Sequence, residues 1–203
     1  MSATIRSTTL VDRALAAAGL TPIAEARARG DLAAVRDLAK VLETADLLAV
    51  GALADRIRQD EAGDSVRIFV NVAPDTGPDV VAVSLVDASH AGFAILRRVA
   101  IARITGPRSA RVRVDWSESS LEVAQVALGF GASELVGPIA NRRGLPIAED
   151  STRKVKGQGM VAVSSLKKKE IEGLLAVAGR RAVFVTSSLA ASPSPATETS
   201  SHA

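Results

Sequence analysis

Residues 115–137 read DWSESSLEVAQVALGFGASELVG, which predicts the end of a strand, an amphipathic helix and a second short strand. Apolar residues at helical spacing, including Leu121 and Leu128, give the helix a broad apolar face. Gly129 and Gly131 follow the last apolar turn, at a place where glycine commonly ends a helix. The stretch therefore predicts a strand, a helix and a strand in succession, as in the repeating unit of a parallel sheet.

The sequence on either side continues this alternation. Predicted strands cover 66–71, 79–86, 110–115, 133–136 and 181–186, and predicted helices cover 88–104, 118–129 and a segment that begins near residue 166. Strands that alternate with helices of this length indicate an α/β fold with a mainly parallel sheet. We divide the chain into a helical prefix over 1–62, an α/β domain over 63–186, and a Ser/Ala/Pro-rich tail over 187–203 that we expect to be disordered.

The composition narrows the possible classes of protein. The chain has 203 residues, of which 47% are hydrophobic, so it can bury a sizeable core, and no apolar run is long enough to span a bilayer. Its first residues lack the apolar segment of a secretory signal, which predicts a cytoplasmic protein without a membrane partner. The sequence contains no zinc pattern, no phosphate-binding Walker loop and no dinucleotide fingerprint.

Three segments of the chain resemble a known family. Residues 127–137, ALGFGASELVG, are similar to an A-L-x-F-G-A-x-D-L-x-G run in the radical S-adenosylmethionine enzymes of the aminofutalosine synthase, dehypoxanthine futalosine cyclase and deazaflavin (FO) synthase group. Residues 46–71 resemble the approach to the first barrel strand of that family, and residues 166–185 resemble its last helix and exit strand. The resemblance implies a (β/α) barrel-like parallel sheet and a context in menaquinone biosynthesis by the futalosine route.

The chain departs from that family where the family holds its iron–sulfur cluster. Members place three cysteines in a C-x-x-x-C-x-x-C loop directly after the first strand, and cluster ligation needs thiolates. The matching loop here is VAPDTGP over residues 72–78, and the whole sequence has no cysteine. The middle strands of the barrel are also missing, because a complete barrel takes at least about 200 residues and the helical prefix and tail use up much of this chain. We therefore expect a partial or shortened barrel without a metal or a cofactor.

These features predict a non-catalytic accessory protein or pseudoenzyme relative of the futalosine-pathway enzymes. A shortened barrel leaves sheet edges and an apolar interior to be covered, which predicts a homo-oligomer or a protein partner. A second interpretation is a cluster-independent nucleoside-binding protein or enzyme of menaquinone biosynthesis. A third is phosphate or nucleic-acid binding through the basic C-terminal third of the chain.

Three residues are candidates for binding a ligand. Asp115 and Trp116 end a predicted strand, where α/β barrels place their chemistry, so Trp116 could stack on a nucleoside while Asp115 accepts a hydrogen bond from its ribose or base. The alternative is a tryptophan packed at the sheet end and an aspartate that caps the following helix, and we favour it. Glu134 stands where the family commonly has an acidic pair, and as a single carboxylate we expect it to be a surface or capping residue.

A basic patch lies within residues 142–156. Its members are Arg142, Arg143, Arg153, Lys154 and Lys156. Such a patch could bind phosphate or nucleic acid. No aromatic residue is interleaved with these charges, which favours a solvated loop and argues against nucleic acid as the partner.

Overall fold

The computed structural model describes residues 9–69, 74, 76–83, 91–119, 121–140, 152–155, 159–162 and 166–185. From residue 10 to residue 62 the described chain is mainly helical. Its helices are α1 Leu10–Ala17, α2 Thr21–Arg29, α3 Leu32–Asp37, α4 Lys40–Thr44 and α5 Leu47–Ala62. A capping box at Thr9 and Asp12 begins α1, and the Asp46 side chain accepts from the backbone of Ala49 at the start of α5. These caps satisfy backbone donors that a helix cannot pair internally.

Strands and helices then alternate. The strands are β1 Ser65–Phe69, β2 Val80–Val83, β3 Arg111–Asp115, β4 Glu134–Val136, β5 Ile139–Ala140, β6 Thr152–Val155, β7 Gly159–Ala162, β8 Leu166–Lys167 and β9 Arg181–Val185. The helices among them are α6 Ala91–Thr105, α7 Trp116–Ser119, α8 Leu121–Ala127, the 3-10 turn Leu128–Phe130 and α9 Lys168–Val177. Gly131 takes a left-handed conformation, with φ of 98°, directly after the 3-10 turn. This confirms Gly131 as the predicted stop, whereas Gly129 lies within the 3-10 turn.

Five of the strands form one parallel sheet in the order β2-β3-β4-β1-β9. The fold is thus α/β with a parallel sheet, as the alternating pattern predicted. The sheet is open, and among the described residues β2 and β9 are its edge strands. In a barrel wall the strands follow chain order, whereas here β1 lies between β4 and β9. Two small pairs lie outside the main sheet, β5 with β8 and β6 with β7.

The described helices cover one face of this sheet. The connections from β2 through α6 to β3, from β3 through α8 to β4, and from β4 through α9 to β9 all advance in the same direction along the sheet. Because such crossovers are right-handed, their helices lie on the same face. The hydrophobic core agrees, since Val66, Ile68, Val112, Val114 and Leu135 point to that face and pack with α5, α6, α8 and α9. No described helix is long and apolar enough to cross a membrane.

The opposite face carries the alternate residues of the same strands. In β3 the sequence alternates arginine with valine, so that Arg111 and Arg113 point away from the helices. By the pairing register, Arg67 of β1 and Arg181 of β9 point the same way. We call this side the arginine face, defined by Arg67, Arg111, Arg113 and Arg181. The same register places apolar residues such as Phe69 and Val185 on this side, so charged and apolar groups share the arginine face. Charged side chains are unusual on a parallel sheet, which marks this face as the place to look for function.

Candidate functional site

Glu134 lies at the centre of the arginine face. It is the first residue of β4, directly between Arg67 of β1 and Arg113 of β3 in the pairing register. Its side chain is fully buried, with a relative exposure of 0%. One carboxylate oxygen accepts from Arg67 Nη1 at 2.7 Å and the other from Arg113 Nη2 at 2.7 Å and Nε at 3.0 Å. Arg111 Nη1 is a longer contact, 3.4 Å from the first oxygen.

The arginines around Glu134 differ in their access to solvent. The side chain of Arg67 is 35% exposed and that of Arg111 is 26% exposed, whereas Arg113 is nearly buried. The guanidinium carbons of Arg67 and Arg113 also lie 5.2 and 4.9 Å from the centre of the Phe69 ring, which is within the range of cation–π contacts. Glu134 thus contacts three guanidinium groups, two of which still reach water.

A cavity of about 210 Å³ opens at the amino-terminal edge of the sheet. We call it the edge cavity, because the residues that line it begin the strands or immediately precede them. Its polar lining includes Glu61, Ser65, Arg67, Arg108, Ser109, Arg111, Ser133 and Glu134. Ser65 accepts a hydrogen bond from Arg181 Nη2 at 2.8 Å, and the Ser109 hydroxyl donates to Asp79 at 2.8 Å. The edge cavity therefore joins the arginine face to the ends of α5 and α6.

Two further arginines lie behind the edge cavity. Arg27 of α2 holds Glu61 through both carboxylate oxygens, at 2.6 and 2.8 Å. Arg103 of α6 is fully buried and donates to the backbone oxygens of Gly131 at 2.9 Å and Ala110 at 2.6 Å. These contacts tie α2, α5 and α6 to the strand ends.

Burial shifts the pKa values of Glu61 and Arg103. It raises the pKa of Glu61 above its ordinary value of 4.5, and the charges of Arg27 and Arg103 act in the opposite direction. Burial also lowers the pKa of Arg103 to about 10, an effect that Glu61 partly offsets. Arg103 therefore keeps its positive charge at neutral pH and adds to the positive potential behind the edge cavity.

Asp115 and Trp116 occupy the carboxyl end of β3. Asp115 Oδ1 accepts from the backbone N–H of Ser117 at 2.7 Å and from its hydroxyl at 2.6 Å, as in the capping interpretation. Trp116 is 1% exposed and belongs to the hydrophobic core. A Cβ added at Gly137 would lie 2.1 Å from the indole ring, so only glycine lets the chain pass this close. Trp116 is packed at the sheet end, and a ligand role for Asp115 stays a prediction.

The expectation that Glu134 is a surface or capping residue was wrong. Its carboxylate is buried because guanidinium groups from both neighbouring strands enclose it. Arg153 and Lys154 of the predicted basic patch lie on β6, and Arg142, Arg143 and Lys156 lie outside the described residues. Within the described part of the chain, no group of three or more potential metal-ligating His, Asp or Glu side chains is found.

Sequence reasoning missed the arginine face. The signal was present in β3, where arginine alternates with valine, and in β1, where Arg67 lies between Val66 and Ile68. Alternation with a period of two predicts one polar and one apolar side of a strand. The register that places Glu134 between Arg67 and Arg113 depends on pairing across the sheet, which no local pattern reveals.

Comparison with known proteins does not assign a family. No protein-family model matches this chain, and no curated protein matches it. The similarity to the radical S-adenosylmethionine enzymes of the futalosine group therefore stays a prediction from the residues quoted above.

Proposed function

We propose that this chain is a non-catalytic accessory protein that binds an acidic protein partner through its arginine face. The observation that carries the proposal is the row of arginines on the face of the parallel sheet opposite the described helices. The described helices pack on the opposite face. The arginine face presents four arginines, Glu134 and Asp115, together with apolar residues such as Phe69 and Val185. Charged side chains are unusual on a parallel sheet, and several of these arginines still reach solvent.

The charge of the face selects the kind of partner. Arg67, Arg111 and Arg181 are partly or fully exposed on it, and a surface with carboxylates beside apolar groups would pair with them. A second copy of this chain placed face to face would set arginines against arginines, and like charges across an interface are costly. We therefore favour a different, acidic protein over a homo-oligomer.

The partner proposed from the sequence is a radical S-adenosylmethionine enzyme of the futalosine group, with this chain as its shortened relative. Helices on a single face of a parallel sheet agree with a piece of a (β/α) barrel wall, whose helices all lie outside. The position of β1 between β4 and β9 does not follow barrel order, so the barrel-like origin rests on the sequence alone. A chain without cysteine cannot supply the thiolate ligands of that family's cluster.

The nucleoside-binding interpretation has weaker support. Stacking on a base needs one face of the indole ring to be open, and Trp116 is buried against Gly137. A nucleoside could reach the ring only if the segment around Gly137 moved away. We make no proposal on that basis.

The mass of the protein in solution tests the proposal. Light scattering would measure it for the protein alone and after mixing with the futalosine-group enzyme of the same cell. We expect co-elution, and we expect Arg181→Glu to weaken the complex by about tenfold or more, because charge reversal acts directly on a docking surface. Arg98→Glu makes the same change at an exposed position of α6 on the helix side and should leave the complex unchanged. A monomer that ignores the enzyme, or a homo-oligomer insensitive to Arg181→Glu, would contradict the proposal.

A further inference from the structure

We propose that an extended acidic segment of the partner protein adds as a further strand to the free edge of β9. The inference deepens the docking proposal by naming how the partner is held, and it rests on that proposal for the existence of a partner. Three features of β9 carry it. These are unpaired backbone groups, a cation at each end and apolar side chains between the cations.

The hydrogen bonds of β9 show which of its backbone groups are free. The N–H of Arg181 donates to the backbone oxygen of Asp64, so the backbone groups of Arg181 point toward β1. Backbone groups alternate in direction along a strand, so those of Ala182 and Phe184 point away from β1. Within the described part of the chain, β9 has β1 as its neighbour and no strand on the other side. We call these outward groups of Ala182 and Phe184 the β9 edge, and they can pair with an incoming strand.

A cation lies at each end of the β9 edge. Arg181 is exposed on the arginine face, and its guanidinium donates to the Ser65 hydroxyl, which carries no charge. Lys168 of α9 is also exposed, and its Nζ lies 5.0 Å from the centre of the Phe184 ring. Among the described residues, neither cation is paired with a carboxylate. A strand with acidic side chains would supply opposite charges beside both.

Apolar side chains lie between the two cations. Ala182 and Phe184 pack against the core on the helix side and are half-buried, and Val183 is half-buried on the arginine face. An added strand would cover the apolar surface that they still expose. Charged residues at a sheet edge also oppose pairing with a second copy of this chain. The β9 edge thus favours a strand from another protein, with acidic residues toward the arginine face and apolar residues toward the helices.

The opposite edge of the sheet provides a comparison. β2 is the other edge strand among the described residues, and its sequence over Val80–Val83 is entirely apolar. The backbone oxygen of Asp79 accepts from Arg111 of β3, so by the same alternation Ala82 points its backbone groups outward. Ala82 is also exposed. The two edges therefore both offer backbone groups, and the charges distinguish the β9 edge.

Fluorescence anisotropy of a labelled, blocked peptide of alternating glutamate and valine tests the inference on the intact chain. We expect saturable binding that is lost when the valine amides of the peptide are N-methylated, because strand addition depends on backbone hydrogen bonds. Ala182→Pro should weaken binding by about tenfold or more, since proline removes the outward N–H and leaves the hydrogen bonds to β1 in place. Ala82→Pro makes the same change on β2 and should alter binding by less than about twofold.

Hydrogen exchange of the unaltered protein gives a second measurement that does not depend on the proline variants being folded. The peptide should slow exchange at the amides of Ala182 and Phe184 by about fivefold or more. The absence of binding at about 1 mM peptide, equal weakening by the two proline variants, or unchanged exchange at both amides would overturn the inference. These measurements use the peptide alone, so a failure of the futalosine-group enzyme to co-elute would contradict the docking proposal without changing their result.

Discussion

The substitution Glu134→Gln tests whether the buried carboxylate holds the arginine face together. The side chain keeps its size but loses its charge. The amide presents one oxygen and one NH2 group where two oxygens accepted from Arg67 at 2.7 Å and from both nitrogens of the Arg113 fork. Whichever way the amide turns, its NH2 group points at a guanidinium donor. Both neighbouring strands therefore lose their ion pair with residue 134, and one of them also loses its hydrogen bond to it.

The magnitude follows from the burial of the three arginines. Breaking a buried ion pair by removing one partner typically costs about 3–5 kcal/mol. Arg113 is nearly buried and regains little of this cost from water, whereas Arg67 and Arg111 are about one-third and one-quarter exposed and regain part of it. We therefore expect a loss of about 3 kcal/mol in the free energy of unfolding. For a chain of this length, that corresponds to a fall of roughly 6–12 °C in Tm.

Urea unfolding followed by tryptophan fluorescence is the direct assay. Trp116 is the one tryptophan of the sequence and is buried at the carboxyl end of β3, so its emission reports on the sheet. With a urea slope of about 2 kcal/mol per molar, the midpoint should fall by about 1.5 M. Glu172→Gln makes the same chemical change at an exposed position of α9 and should stay within about 0.5 kcal/mol of the natural protein. If Glu134→Gln shifts the midpoint no more than Glu172→Gln does, the reasoning about the buried carboxylate is refuted.

Four other substitutions test the packing and the electrostatics. Gly51→Ala should lower the free energy of unfolding by about 1–3 kcal/mol, because the new Cβ would lie 2.6 Å from the Phe130 ring. Gly173→Ala meets nothing within 4 Å and should stabilise α9 by about 0.5–1 kcal/mol. Equal effects of the two substitutions in thermal unfolding would contradict this. Hydrogen bonds within the capping box hold the pKa of Asp12 below 3.8, so its contribution to the free energy of unfolding is present above pH 3.8 and is lost as pH falls through the lowered pKa. Asp12→Asn should remove that part of the pH dependence of unfolding in acid. An unchanged pH dependence would argue against it. The buried guanidinium of Arg103 donates to two backbone oxygens and a hydroxyl, and a lysine cannot keep all of these hydrogen bonds. Arg103→Lys should therefore lower the free energy of unfolding, measured in urea, by about 2–4 kcal/mol. An unchanged value would show that water replaces the guanidinium donors.

The secondary structure could be predicted from the sequence because its causes are local. The alternation of strands and helices from residue 65 onward follows from hydrophobic periodicity, and Gly131 ends its helix through a backbone conformation that glycine adopts easily. The packed position of Trp116 was also one of the two interpretations derived from its place at a strand end. Each of these features depends on a few neighbouring residues.

The sheet order and the buried carboxylate could not be predicted because they depend on distant residues. Insertion of β1 between β4 and β9 joins segments almost 70 and more than 110 residues apart, and nothing within β1 specifies its neighbours. The burial of Glu134 follows from that order, since Arg67 reaches it only when β1 lies beside β4. An isolated glutamate in a sequence is usually exposed, and here two neighbouring strands supply the charges that allow it to be buried.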